Sequence, residues 1–433
     1  MLPAHLKPAL RRILSPHQWK IRVVFWLSAI GVGVAAALFA LVARYADQSH
    51  HRLYSEYPLV ALALPPLGLA LIAWLTRRVF RGTEGSGIPQ AIAALSMHTA
   101  TARTAVLSLR LAAGKILLTC MGLFSGASIG REGPTVHVGA SIMHSLHHFH
   151  RFHDRHMTRA LILAGGAAGI SAAFNTPLAG IIFAIEEMGR SFESRSSSTL
   201  LIAVILAGIT AVMILGDYTY FGRSTETLPV SQAWLGILAC GVVGGLLGGL
   251  FASALIHGTR RLAGFARRHP VTLAFACGLL VSATGYLAAG TTFGTGYEQA
   301  HHLVTGGEAD WTYPFYKMFA TVVSYLSGIP GGIFAPSLSV GAGLGADIGH
   351  LLGITSTAII MLGMVGYFTG VVQTPITAFV IVMEMTDSSS MMLPLMATAI
   401  VARLVSQLVC PQPIYGALAE AYLSRTAKPA RAE

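Results

Sequence analysis

The chain has 433 residues, of which 54% are hydrophobic and only 11% are charged, and its formal net charge is +11. Soluble domains carry roughly 25% charged residues, so this composition excludes a water-soluble globule and indicates a membrane protein. The basic residues lie in short clusters between apolar runs, which is typical of cytoplasmic loops rather than of a nucleic-acid-binding surface.

The chain begins with a basic segment, residues 1–22, that we expect to form an interfacial helix on the cytoplasmic face. Apolar runs that exceed the ~20 residues of a spanning helix come next, at 23–42, 230–256, 318–346 and 348–383, the last interrupted by Pro375. Because Lys and Arg collect in cytoplasmic loops, both termini are expected inside. The segment 216–231 is poor in positive charge and is expected outside.

An internal repeat divides the membrane-spanning part. "GREGPTVHVGA" (130–140) matches "GIFAPSLSVGA" (332–342, first residue Gly332), and "NTPLAGIIFAIEEM" (175–188) matches "QTPITAFVIVMEMT" (373–386). Two related halves with Gly/Pro-interrupted hydrophobic segments are the mark of a secondary transporter, whose substrate site lies between the halves near the bilayer midplane. We predict an all-α polytopic membrane protein made of two inverted-topology repeats of tilted and broken helices. The predicted divisions are 1–22 (N-terminal helix), 23–215 (first repeat), 216–424 (second repeat) and 425–433 (cytoplasmic tail).

Three Gly/Pro segments explain how such a site could hold an anion. "GSGIP" (85–89), "GREGP" (130–134) and "GGIFAP" (331–336) each place a proline in what would be the first turn of a helix, where it sacrifices no hydrogen bond. Each therefore presents free N–H groups and the positive end of a helix dipole at membrane depth. Several such ends converging would bind an anion without a full positive charge.

The motifs "GSGIPQ", "GREGPTV", "GGIFAPSLSVGA" and "QPIYGAL" resemble, in order, the four anion-site motifs of the CLC family of chloride channels and proton-coupled chloride exchangers. The resemblance covers about residues 11–424. It implies a chloride/proton antiporter in the inner (plasma) membrane of a bacterium, working as a homodimer with one pore per subunit and with no cofactor besides the chloride it carries. A passive, voltage- or pH-gated chloride channel of the same fold is the alternative.

The resemblance also assigns roles to residues at matching positions. Ser86 and Tyr415 would donate their hydroxyl groups to chloride, and the backbone N–H groups of Ile333 and Phe334 would complete the central site. Ser86 resembles the serine of chloride-type members, so chloride is the implied anion. The supporting motif residues are Gly85, Gly87, Pro89, Gly130, Arg131, Gly133, Pro134 and Lys115.

Two glutamates would couple chloride to protons. Glu132 would be the external gate, because an ionised carboxylate where helix N-termini converge competes with chloride for the same donors, and protonation ends that competition. Glu187 matches the inner proton-transfer glutamate of the exchangers and has Met385 opposite it in the repeat. Glu186 aligns with Glu384, which suggests a shared structural task such as capping or ion pairing.

Three assignments have alternatives. Arg131 is expected to pair with a carboxylate or with helix carbonyls, and direct contact with the anion is the weaker alternative. Lys115 either raises the positive potential for anions or snorkels to an interface. For His137, packing or a helix hydrogen bond is favoured over proton transfer.

Two further patterns point away from transport but are weak. The histidine-rich run 144–156 is better explained as a solvated loop than as a metal site, so no metal site is predicted. "GLGAD" (343–347) hints at an intramembrane aspartyl protease, but the required GxGD spacing and the partner Tyr-Asp pair are missing. We therefore expect a transporter and not an enzyme.

Overall fold

The computed structural model describes residues 16–148, 155–189, 197–216, 219–224, 226–308 and 310–426. Within these ranges the regular structure is helical, and the only strand-like features are isolated backbone bridges. The α-helices among the described residues of the first half are α1 (Pro16–Glu56), α2 (Pro58–Arg78), α3 (Ile88–Ser96), α4 (Ala100–Val106), α5 (Leu109–Phe124), α6 (Glu132–His144), α7 (Arg155–Phe174), α8 (Pro177–Phe183) and α9 (Ser197–Leu215). A 3-10 turn, Ser145–His148, follows α6, and a π-helical turn, Ala184–Gly189, follows α8.

The second half repeats this order. Its α-helices are α10 (Val230–Arg268), α11 (Pro270–Leu287), α12 (Tyr297–Val304), α13 (Tyr313–Leu326), α14 (Phe334–Leu352), α15 (Ala358–Val372), α16 (Pro375–Thr386), α17 (Met392–Val409) and α18 (Ile414–Thr426). A 3-10 turn, Ser389–Met391, precedes α17. Both halves have the same order of elements. Two long helices come first, then a short helix after a glycine-rich loop, and then two pairs of helices that are each interrupted at glycine or proline.

Seven helical segments among the described residues are long and apolar enough to cross a membrane, and together they make this a multi-pass membrane protein. They are Trp19–Glu56, Pro58–Arg78, Ala100–Phe124, His156–Phe174, Gln232–Arg268, Pro270–Leu287 and Ser389–Val409. Large apolar side chains cover the outward faces; Leu408 of α17, for example, is 85% exposed. Such surface is stable in a hydrocarbon layer and not in water.

Two of the long apolar runs are not single helices. The run 318–346 is split between α13 and α14, and the run 348–383 between the end of α14, α15 and α16. The breaks fall at Gly328 and Gly353, whose φ values are +79° and +65°, and before Pro375, which starts α16. Glycine and proline end a helix at these points, so hydropathy alone overestimates the length of these helices.

A two-fold relation connects the halves. Gly130 and Gly332, which occupy equivalent places in the repeat, exchange two backbone hydrogen bonds of 2.7 Å each. Equivalent helices also pack against each other, α2 against α11 and α8 against α16. Reciprocal contacts of this kind are expected where a pseudo-two-fold axis passes between the two repeats.

Glycine pairs allow the broken helices to cross closely. A Cβ on Gly139 of α6 would lie 2.2 Å from the carbonyl oxygen of Gly165 in α7, and a Cβ on Gly341 of α14 would lie 2.8 Å from the carbonyl oxygen of Gly363 in α15. Small residues at helix crossings are the usual means of tight packing in membranes. The same crossing therefore appears once in each half.

The predicted ends of the chain are only partly covered. Residues 16–22 already belong to α1, while residues 1–15 and 427–433 lie outside the described residues. A separate interfacial helix and a cytoplasmic tail stay predictions.

Candidate anion-transport site

Three Gly/Pro loops meet between the two halves. The amide of Gly85 donates to the carbonyl of Ile329, and the amide of Gly331 donates back to the carbonyl of Gly85, both at 3.2 Å. The Gly130–Gly332 pair lies beside this contact in sequence, so "GSGIP", "GREGP" and "GGIFAP" are held together by their own backbones. As predicted, each loop opens a helix: α3, α6 and α14.

The first loop depends on a glycine conformation. Gly85 and Gly87 have φ values of +65° and +98°, in the left-handed region that favours glycine. A Cβ on Gly87 would also lie 2.6 Å from the Cβ of His137. With Pro89 in the first turn of α3, the loop turns sharply and directs the start of this helix toward the interior.

Ser86 and Tyr415 lie together in the interior, each only 1% exposed. The Ser86 hydroxyl accepts a long hydrogen bond of 3.4 Å from the Ile88 amide, which leaves its own proton available for donation. The Tyr415 phenol faces Ser86, yet its oxygen makes no well-formed hydrogen bond among the described residues. Its ring packs on Phe334, with 5.9 Å between the ring centroids.

Glu132 is the first residue of α6 and is completely buried. Its Oε2 accepts from the Ala335 amide at 3.5 Å, in the first turn of α14. The amides of Arg131 and of Glu132 itself also face the carboxylate. A Cβ on Gly130 would lie 2.2 Å from Oε2, so the side chain folds back over this glycine. The carboxylate thus occupies a place where two helix N-termini present their N–H groups.

Glu186 and Glu187 have separate surroundings, as their positions in the repeat predict. Glu186 accepts from the amides of Ile376 and Thr377 at the start of α16, at 3.2 and 2.7 Å. Glu384 accepts from the amides of Leu178 and Ala179 at the start of α8, at 3.1 and 2.7 Å. The predicted shared task is therefore reciprocal N-terminal capping.

Glu187 lies in the π-helical turn that follows α8 and is 2% exposed. It is within electrostatic reach of the Tyr415 phenol. π-helical turns occur frequently at functional sites because they redirect single side chains. Here the turn contains both Glu187 and the capping residue Glu186, which have different partners.

A cavity of about 440 Å³ reaches the Ser86 loop from one side. Its lining includes Gly85, Ser86 and Tyr325, together with Arg77 and Arg267 from two of the basic segments predicted to be cytoplasmic. A second, smaller cavity of about 40 Å³ is lined by Arg131 together with Arg44 and Asp47. The larger cavity thus reaches Ser86, and the smaller one reaches Arg131, the neighbour of Glu132 in the chain.

Sequence comparison bears on this arrangement. The family model of voltage-gated chloride channels matches residues 68–407. The chain belongs to the CLC family. The H(+)/Cl(-) exchange transporter ClcA of Yersinia pestis (strain Antiqua) is 32% identical over 391 residues, which cover 84% of this chain and 79% of the relative. ClcA of Cronobacter sakazakii is also 32% identical, over 456 residues and with coverage of 98% and 94%.

Solved CLC structures share the fold. A slow cyanobacterial Cl-/H+ antiporter matches with a TM-score of 0.78 and 26% identity, over 94% of this chain and 98% of that one. A CLC-type fluoride/proton antiporter matches with a TM-score of 0.79 at 21% identity, over 93% and 99%, and supports the fold alone. The aspartyl-protease alternative based on "GLGAD" has no support in these relatives.

Lys115 does not snorkel. It is fully buried, and its Nζ donates to the carbonyls of Thr83 at 2.8 Å and of Gly85 at 3.0 Å. Lys317, which sequence reasoning did not select, is equally buried and holds the carbonyls of Thr292 and Gly294 at 2.9 and 2.8 Å. Each lysine stands fifteen residues before the equivalent glycine of its half, Gly130 or Gly332, and this spacing was the available signal.

Arg131 and His137 fill supporting positions beside Glu132. The Arg131 guanidinium lies 6.0 Å from the centre of the Tyr220 ring, a cation–π contact that the sequence did not suggest. His137 Nε2 lies 2.8 Å from the Val106 carbonyl, which agrees with the favoured packing and hydrogen-bonding role.

The histidine-rich segment is partly covered. His144 and His147 stack at the end of α6, with centroids 4.5 Å apart, while residues 149–154 lie outside the described residues. Over the ranges that the structure describes, no three His, Cys, Asp or Glu side chains are grouped to hold a metal.

Tyr325 was also missed by sequence reasoning. A Cβ on Gly85 would lie 3.5 Å from its hydroxyl, so this second phenol stands beside the Ser86 loop, in the lining of the larger cavity. Nothing in the motif marks it, because it precedes "GGIFAP" by several residues.

Proposed function

We propose that this chain exchanges chloride for protons across the bacterial inner membrane, with Glu132 as the gate that competes with the anion. One observation carries the proposal: the buried Glu132 carboxylate lies at the N-terminus of α14, beside the Ala335 amide. The exchange activity named for the ClcA relatives and for the cyanobacterial antiporter supports it.

The gate follows from the competition for N–H donors. Ionised Glu132 satisfies the N-terminal amides of α14 just as a halide ion would. Once protonated, the side chain loses most of that attraction, and chloride takes its place between these amides and the hydroxyls of Ser86 and Tyr415. Proton and chloride therefore occupy the site in alternation.

The inner end of the proton path is assigned to Glu187. It is buried in the turn after α8 and lies within electrostatic reach of Tyr415. A proton that leaves Glu187 for Glu132 thereby bypasses the chloride route through the 440 Å³ cavity.

The assembly belongs to the same proposal. The outward faces of α9 and α17 carry exposed Ile205, Ile209, Leu404 and Leu408, which fit a homodimer contact in the membrane with one pore in each subunit. Both termini are cytoplasmic in this proposal. The divisions at residues 22, 215 and 424 are part of it, and no cofactor is assigned to the exchange.

The direct test is the reversal potential of the purified protein in liposomes under crossed chloride and pH gradients. An exchanger shifts its reversal potential with the pH gradient at constant chloride. A reversal potential that follows chloride alone, with Glu132 and Glu187 intact, would establish the passive channel instead.

Glu132→Gln tests the gate itself. The neutral amide cannot be ionised or carry a proton, so proton movement should fall to background while chloride flux persists. Proton uptake and chloride efflux are measured in the same liposomes. Glu56→Gln, at an exposed glutamate at the end of α1, should behave as wild type; proton coupling in Glu132→Gln would refute the gate.

A further inference from the structure

The cavity that leads to Ser86 contains an acid on the route of an anion. Among the described residues that line its 440 Å³, Glu84 is the only acidic one, and it stands two residues before Ser86. Arg77 and Arg267 are the basic side chains of the same lining. A negative charge at this place opposes the substrate.

The backbone around Glu84 is fixed. Its carbonyl accepts from Gln90 Nε2 at 2.7 Å, and the flanking carbonyls of Thr83 and Gly85 are held by Lys115. Loop movement therefore cannot carry the side chain away from the Ser86 approach. Its Cα stays within the ~7 Å that two residues can span.

The charge of Glu84 is not neutralised by an ion pair. Among the described residues, no basic side chain lies within ion-pair distance of its carboxylate. Lys115 is its charged neighbour in electrostatic reach, but that ammonium group is directed at the backbone carbonyls. The guanidinium of Arg77 is likewise committed, since Nη2 donates to the Ala266 carbonyl at 3.0 Å.

We propose that Glu84 is an electrostatic regulator of the exchange: its carboxylate weakens chloride binding from the cavity side and so favours release of chloride into the cytoplasm. The proposal rests on the proposed function of the Ser86 site. Two like charges about 7 Å apart in water change each other's occupancy about threefold, and more where screening is weaker. The effect belongs to one face of the protein, because the external approach lies beyond Glu132.

The test compares chloride KM on the two faces, using inverted and right-side-out membrane vesicles that contain the full chain. For Glu84→Gln, KM on the cytoplasmic face should fall about threefold while KM on the external face and the proton-to-chloride ratio stay unchanged. Glu84→Lys should lower the cytoplasmic KM about ninefold, and Glu84→Asp should keep the wild-type value. Glu420→Gln, at an exposed glutamate of α18 outside the lining, serves as the matched control.

The outcomes separate this proposal from the exchange itself. Unchanged cytoplasmic KM in the Gln and Lys variants, or equal changes on both faces, would overturn the role of Glu84. Wild-type chloride flux without protons, combined with the one-sided KM shift, would instead overturn the exchange and keep the regulator. Thermal unfolding of each variant in detergent shows whether a KM change reflects damage to the fold.

Discussion

The space beside the Cα of Gly130 is filled by the carboxylate of Glu132, two residues further along the chain. A Cβ at this position would meet Oε2 at 2.2 Å and Pro336 Cδ at 3.2 Å. The first contact is with the end of a flexible side chain, so the carboxylate can yield while the backbone stays. Gly130 thus makes room for the Glu132 carboxylate, which is the gate in the proposed mechanism.

Gly130→Ala should therefore fold and lose coupling. The methyl group displaces the Glu132 carboxylate from the α14 N-terminus, so chloride flux should persist while the number of protons moved per chloride falls at least severalfold. Flux of both ions in liposomes measures this. Gly264→Ala, whose Cβ meets nothing within 4 Å, is the matched control, and an unchanged ratio in a folded Gly130→Ala protein would contradict the placement of the gate.

Lys115 and Lys317 offer a paired experiment. Replacing either by Met leaves buried carbonyls without their donor, at a cost of about 1–3 kcal/mol for each unsatisfied group, so both variants should unfold at lower temperature. Only Lys115 supports the Ser86 loop, so chloride affinity should drop severalfold in Lys115→Met alone. Calorimetry of chloride binding distinguishes them; equal affinities would make Lys115 a purely structural residue.

At the scale of single residues, motif matching alone selected the main residues of the candidate site. Ser86, Glu132, Phe334 and Tyr415 were selected from four separate stretches, and the structure places them around one point. Their motifs are recognisable because glycine and proline fix the loops. No glycine or proline motif identified Tyr325, because this residue reaches the site only by its position at the end of α13.

At the scale of elements, the short helices α8 and α16 are each capped by a glutamate from the other half of the repeat. Glu186 caps α16 and Glu384 caps α8, although each glutamate is about two hundred residues from the amides it accepts from. The alignment of the repeat suggested a common task for the pair. The alignment could not show that each glutamate contacts the opposite half, because a repeat identifies equivalent positions and does not say which residues touch.

Because Glu186 is a capping residue, substitutions can distinguish its role from that of its neighbour Glu187. Glu186→Ala and Glu384→Ala should each lower stability by about 1–2 kcal/mol, the usual cost of a lost N-cap, and keep proton coupling. Glu187→Gln should do the reverse and abolish proton transport with chloride transport retained. Thermal unfolding and coupled flux are measured for all three; loss of both ions in Glu187→Gln would make that residue structural.

Helix boundaries were the weaker part of the sequence prediction. Hydropathy alone continued through the breaks, although "GGIFAP" and Pro375 marked the starts of α14 and α16 in the sequence. The breaks are stable at that depth only because backbone groups such as those of Gly85 and Gly331 pair across the halves. Pairing between distant loops leaves no local pattern in a sequence.

At the scale of the molecule, the orientation of the chain can be tested with cysteine labelling. The four native cysteines are buried, so they should give little background with an impermeant thiol reagent. Arg268 and Glu308 are exposed and separated by the spanning helix α11. Arg268→Cys should be labelled only from the cytoplasmic side and Glu308→Cys only from the outside; labelling of both from one side would reject the proposed topology.

The four backbone hydrogen bonds that connect Gly85 and Gly130 to the 329–332 loop also restrict how the protein can work. A carrier that rocks one half against the other would have to break these hydrogen bonds at every cycle, inside the membrane, where each unsatisfied backbone group is costly. These hydrogen bonds therefore favour a stationary frame for the two halves. In the proposed mechanism, movement of the Glu132 side chain then couples protons to chloride without a rearrangement of whole domains.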